Sequence, residues 1–232
     1  MKRRQFLSLS AAGSVSACFA PMVSRSVSAV EPIQRSGPPR FRIGLAAYSL
    51  RGYFAYKKGK RQTPASDGPA IDMSGFLDYC VAGGIEAAEL TSYFFEPAAD
   101  DEYFLDLRRE AFLKGVTISG TAIGNNFTIG KGPALDEEIS RAIVWIDRAA
   151  LLGAPHIRFF AGKGQQLAED PARLDDAVAA LGRCAQHAGA KGIFLGVENH
   201  GGLTPDQMLT IMQRVDSPWV GINLDTGNFH SD

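Results

Sequence analysis

From residue 41 onward, short runs of β-branched and apolar residues alternate with longer amphipathic stretches. The strand-like runs are 42–49, 85–91, 116–123, 156–161, 193–198 and 220–225, and the stretches between them, 72–82, 101–114, 136–152, 171–190 and 204–214, carry helical periodicity. In the third of these helices Ile139, Ile143, Ile146 and Ala150 recur at the spacing of one helix face. Start and stop signals agree with the pattern. Asp136, Glu137 and Glu138 gather acid in a first turn, Thr204-Pro205 pairs a capping hydroxyl with a first-turn proline, and Gly153 follows Leu152. The pairs Gly84-Ile85, Gly115-Val116 and Gly192-Ile193 set a helix-ending glycine directly before a strand. Strands that recur with helices between them pair in parallel through right-handed crossovers.

Two α/β architectures satisfy that alternation. A doubly wound sheet carries a glycine-rich phosphate loop after its first strand, whereas this chain continues Ala46-Ala47-Tyr48-Ser49-Leu50-Arg51. A (β/α)8 TIM barrel concentrates its chemistry at the C-terminal ends of many strands. Those ends are polar here: Tyr48 and Ser49, Glu89, Asn125 and Asn126, Arg158, Glu198 with His200, and Asp225 with Asn228. The expectation is therefore an incomplete (β/α)8 TIM barrel with about six βα units, since a full barrel takes about 250 residues and roughly 190 follow residue 40. An open parallel edge would expose unpaired backbone groups, which predicts self-association through that edge.

Composition narrows the partners. In 232 residues, 24 Lys and Arg stand against 25 Asp and Glu, for a net charge of −1. There is no global positive field to hold a nucleic acid, so none is expected as partner. Three cysteines cannot build a disulfide framework, and Cys80 and Cys184 read as small buried hydrophobes.

Residues 1–29 read as an export signal, with Met1-Lys2-Arg3-Arg4 as the charged start and an apolar run from Phe6 to Phe19 too short to span a bilayer. Arg3-Arg4-Gln5-Phe6-Leu7 resembles the twin-arginine motif, which implies export to the periplasm. Val27-Ser28-Ala29 has the small-x-small spacing of a cleavage site, while Val15-Ser16-Ala17-Cys18 resembles a lipobox that would place a lipid anchor on Cys18. The proline-rich stretch 30–40 is a linker to the domain 41–232.

Gly196-Val197-Glu198-Asn199-His200-Gly201-Gly202 puts an acid at the end of a buried strand, and the two-residue period sends Glu198 and His200 into the mouth. Gly221-Ile222-Asn223-Leu224-Asp225-Thr226-Gly227-Asn228 repeats the arrangement one unit later. Two carboxylates at one level repel unless a cation lies between them, and hard oxygen ligands suit a divalent ion. Simpler roles stay open beside this one. Glu198 could pair with a loop lysine, Asp225 could close an Asx turn, His200 could face solvent, Glu89 could cap its strand, and Lys57-Lys58-Gly59-Lys60-Arg61 could be a solvated loop. Tyr93, Phe94 and Phe95 could wall the pocket or pack the core.

Gly84-Ile85-Glu86 through Glu89-Leu90, Ile157-Arg158-Phe159-Phe160-Ala161-Gly162, Val197-Glu198-Asn199-His200-Gly201-Gly202 and Leu224-Asp225-Thr226-Gly227-Asn228 together resemble the xylose isomerase-like TIM barrels, and among them the sugar phosphate isomerase/epimerase group. The resemblance spans residues 41–230. It implies a metal-dependent sugar isomerase or epimerase that abstracts a proton beside a carbonyl through an enediolate. The implied ion is Mn, Mg, Co or Zn, with Glu198 and Asp225 as ligands, Glu198 also as base, and His200, Arg158, Glu89 and Asn228 against a small sugar or sugar derivative. The family's remaining two ligands lie on two further strands. An endonuclease-IV-like phosphodiesterase would need a histidine where Asn228 stands. A non-catalytic or defective exported carbohydrate-binding fragment is the alternative of another class.

Overall fold

The chain divides at Arg40/Phe41, and the computed structural model describes residue 37 and residues 42–228. The export signal, Cys18 and His230 lie outside the described residues. Six strands form one parallel sheet in the order β1 (Gly44–Ala46), β4 (Ala87–Thr91), β5 (Thr117–Ala122), β6 (His156–Phe159), β7 (Phe194–Glu198) and β8 (Val220–Asn223). Neighbours in the sheet are neighbours among these strands along the chain, the pattern of a barrel wall and not of a doubly wound sheet. Between them run α1 (Met73–Ala82), α2 (Asp101–Leu113), α3 (Pro133–Leu152), α4 (Gly164–Glu169), α5 (Arg173–Lys191) and α6 (Pro205–Val215). No helix among the described residues is long and apolar enough to cross a membrane.

Local signals explain most boundaries. Asp72 and Asp100 cap α1 and α2 by accepting the backbone N–H of Gly75 and Tyr103. Thr204 and Gln207 form a reciprocal capping box on α6, with Pro205 in its first turn. Helices α3 and α5 end on the left-handed glycines Gly153 and Gly192. Helix α3 starts earlier than its acidic turn suggests, at Pro133, and buries Leu135, Ile139, Ala142, Ile146, Ala149 and Leu152. Ile143 and Ala150 fall on the margin of that stripe. Both Cys80 and Cys184 are buried and free, and burial pushes the Cys184 thiol up to about 12.

Two elements depart from the sequence pattern. A hairpin, β2 (Tyr56–Lys57) with β3 (Lys60–Arg61), rises from the segment after β1, where a solvated loop was the simplest expectation. In β5 the register jumps from Ala88–Ile118 to Glu89–Gly120, so Ser119 is an extra residue. This bulge reverses the alternation. Ile118 packs with the helices, while Gly120 and Ala122 face the other way in register with Glu89 and Arg158.

The core lies between the sheet and its helices. Ala88, Leu90, Ile157, Phe159, Leu195 and Val197 pack there with the buried stripes of α1, α2, α3, α5 and α6. At one edge of the sheet, Ile222 of β8 and Leu224 just beyond it are exposed.

Candidate active site

The opposite face of the sheet is built from small residues and charges. Register aligns Ala46 with Glu89, Ala122 with Arg158, Arg158 with Gly196, and Glu198 with Asn223. The small partners leave room above the strands for long polar side chains. His156 fills some of that room. Its ring passes so close to Gly120 and Gly196 that a Cβ on Gly120 would stand 2.9 Å from Nδ1, and one on Gly196 would run into Nε2. Burial, then the Arg158 charge, lowers the His156 pKa and keeps the ring neutral. His187, on α5, pairs with Asp147 at 2.8 Å.

Glu198 closes β7, with 8% of its surface exposed. Arg158 Nε lies 2.9 Å from one of its carboxylate oxygens, and the Asn228 amide donates to the other at 3.1 Å. A charge buried to this extent is stable only when its oxygens are bonded in this way. The partner is Arg158 from the neighbouring strand and not a loop lysine. Arg158 is itself anchored, because its Nη1 donates to the carbonyl of Ile123 at 2.7 Å and its guanidinium lies 4.2 Å from the Phe160 ring centroid. Asn125 in turn clamps the Phe160 backbone, accepting its N–H at 2.9 Å and donating to its carbonyl at 2.6 Å. Strand β7 ends at Glu198, so its alternation does not carry to His200. His200 is exposed, and its ring stacks on Phe160 at 4.3 Å.

Glu89 belongs to the same electrostatic neighbourhood. Burial raises its pKa, the Arg158 charge and a hydrogen bond from Thr91 lower it, and the Glu198 charge raises it. Glu89, Arg158 and Glu198 thus form one coupled set at the C-terminal end of β4, β6 and β7.

Asp225 stands two residues beyond Asn223, the register partner of Glu198, so the two acids are not at one level. Its carboxylate accepts the N–H of Gly227 at 2.8 Å, the Asx turn that its neighbours in sequence allow. Asn199 holds its backbone from both sides, accepting the Asp225 N–H at 2.7 Å and donating to its carbonyl at 2.9 Å. The same short turn, Thr226–Asn228, then carries the Asn228 amide back to Glu198. In kind, the carboxylate oxygens suit a hard divalent ion. In number they fall short, since the described residues hold no group of three His, Cys, Asp or Glu side chains able to bind one.

Phe160, Asn125 and Asn199 shape this site through stacking and backbone bridges. The sequence signal for them was weak: Asn125 was visible only as a polar strand end, and Phe160 as one more apolar residue.

The family model of the xylose isomerase-like TIM barrel matches residues 77–232. No functionally curated relative matches the sequence. Among solved structures, D-psicose 3-epimerase with D-tagatose from Clostridium cellulolyticum superposes with a TM-score of 0.61 at 16% identity, over 80% of this chain and 64% of that one. A probable 3-DHS dehydratase involved in petrobactin synthesis from Bacillus anthracis gives 0.57 at 18%, over 80% and 63%. A xylose isomerase domain protein from Planctomyces limnophilus gives 0.54 at 18%, over 66% and 58%. The chain thus spans about three-fifths of the length of these structures.

Proposed function

Because the chain belongs to the xylose isomerase-like TIM barrel family, we propose that it serves a sugar isomerase or epimerase reaction in which Glu198 removes a proton beside a carbonyl. The observation that carries this reading is the buried Glu198 carboxylate, gripped by Arg158 and Asn228 at the open end of the sheet. An epimerase occurs among the similar folds. The substrate class, a small sugar, is proposed from that likeness.

Arg158 orients the Glu198 carboxylate, the proton acceptor in this reading, by the 2.9 Å contact of its Nε with one carboxylate oxygen. A substrate oxygen entering beside Glu198 competes for the guanidinium, and the carboxylate is freed as Arg158 turns its positive charge to the oxygen that becomes anionic. The neighbouring Glu89, which burial inclines toward its protonated form, is the candidate to return a proton. Asn228 and His200 border the same opening and are proposed as substrate contacts, His200 through the exposed face of its stack with Phe160.

A divalent ion, Mn, Mg, Co or Zn, would supply Lewis-acid stabilisation of the developing oxyanion. Glu198 and Asp225 are the proposed ligands among the described residues, and further donors would complete the set. Export through the twin-arginine route remains our proposal for residues 1–29, and a small sugar derivative for the partner.

The test is divalent-ion uptake by the purified chain and by Glu198→Ala and Asp225→Ala, together with solvent-deuterium incorporation into ketoses. We expect both substitutions to abolish uptake and Glu198→Ala to abolish incorporation. Equal uptake in all three proteins rejects the metal ligands. Sugar binding without any deuterium incorporation favours the non-catalytic carbohydrate-binding alternative.

A further inference from the structure

Both oxygens of the Glu198 carboxylate already have partners within the fold. Arg158 Nε lies 2.9 Å from Oε2, and the Asn228 amide donates to Oε1 at 3.1 Å. Asp225, the second acid of the site, turns one oxygen to the Gly227 N–H at 2.8 Å. Arg158 and Glu198 are both buried, so a carboxylate left there without a cation would be costly. Among the described residues no other Lys, Arg or His comes within 4.0 Å of Glu198.

The guanidinium is also held from behind. Its Nη1 donates to the Ile123 carbonyl at 2.7 Å, and its Cζ lies 4.2 Å from the centre of the Phe160 ring. Phe160 is fixed in turn, because Asn125 clamps its backbone at 2.9 and 2.6 Å and His200 stacks on its ring at 4.3 Å. A guanidinium does not give up its proton, so its charge stays in place as a second cation approaches. Two positive centres that share one carboxylate repel, and each weakens the other's hold by the same factor.

We propose that Arg158 is the resident cation of this site and competes with a divalent ion for the Glu198 carboxylate, with Phe160 as the positioning residue that sets how firmly Arg158 competes. The proposal rests on Glu198 as a metal ligand in the isomerase reading. It makes folding around Glu198 independent of the ion, and it makes ion uptake depend on Arg158 giving way.

The experiment is titration of the full chain with Mn²⁺ alone, followed by loss of the free-ion EPR signal, with melting temperatures recorded with and without the ion. The variants are Arg158→Met, Arg158→Met with Glu198→Gln, and Phe160→Leu. We expect Arg158→Met to bind Mn²⁺ about tenfold more tightly than the parent and to gain more melting temperature from it. Adding Glu198→Gln should cancel the gain. Phe160→Leu keeps the Arg158–Glu198 pair but loosens its anchor, and should tighten binding by about threefold. It carries the test by itself should Arg158→Met not fold. A purely structural role for Arg158 predicts uptake that is unchanged or weaker in these variants, and that result overturns the proposal while leaving a Glu198-dependent ion in the parent intact. A gain that survives Glu198→Gln also overturns it. Uptake by Arg158→Met and none by the parent supports the competition and defeats the metal part of the isomerase reading, whereas no uptake by any of the proteins defeats both.

Discussion

On the face of the sheet that meets the helices, Leu90, Ile157, Phe159, Leu195 and Val197 are wholly buried among apolar side chains. On the other face the same strands carry Glu89, Gly120, Ala122, Arg158, Gly196 and Glu198. The first face is filled by volume, so each side chain there is held by many weak dispersion contacts. The second is held by a few strong, directional contacts spread over residues chosen for smallness or charge. A change on the first face should therefore cost stability in proportion to the volume removed. On the second, the cost depends on which partner is left behind.

The largest expected effect tests the first half of that contrast. Phe159→Ala should lower unfolding free energy by about 3–5 kcal/mol, read from the denaturation midpoint at unchanged slope. A loss below ~1 kcal/mol would mean that the strand is not packed as described. On the polar face, Arg158→Met should cost about 3 kcal/mol by leaving the buried Glu198 without its cation. Adding Glu198→Gln should recover much of that loss. Failure of the double variant to recover would show that Arg158 acts through its bond to Ile123 or its contact with Phe160 instead.

A smaller effect separates the two faces by pH. His156 has a folded pKa below its ordinary value of 6.5, so the unfolded chain takes up its proton first as pH drops. The neutral ring's contribution is complete above pH 6.5, is lost as pH falls below that value, and levels off once the folded form is also protonated. His156→Gln should flatten this part of the stability curve relative to the parent. A ring that titrates at or above 6.5 by NMR would contradict the environment described for it.

The barrel wall was legible because alternation, caps and helix-ending glycines all agree, and Thr204-Pro205 and Gly153 act where their chemistry places them. The hairpin was not, since Lys57, Lys60 and Arg61 have no apolar alternation and its strands are stabilised by position over Tyr93. Helix α4 escaped for a similar reason, burying little beyond Leu167. At the site, Glu198, Arg158, Glu89 and Asn228 were all visible as strand-end polar residues, but their pairing was not. Glu198 and Arg158 are forty positions apart, and only the β6–β7 register brings them together. The level of Asp225 was likewise hidden, because period-two reasoning cannot see where β8 stops ladder pairing.

The additional residue in β5 has a bearing on how relatives are compared. Position-by-position matching that ignores Ser119 will equate inward-facing residues of one protein with outward-facing residues of another for the remainder of that strand. A gap placed there costs an alignment score a little and restores the correspondence of Gly120 and Ala122. Homologues lacking the insertion should carry a bulky apolar residue where this chain has one of these small ones.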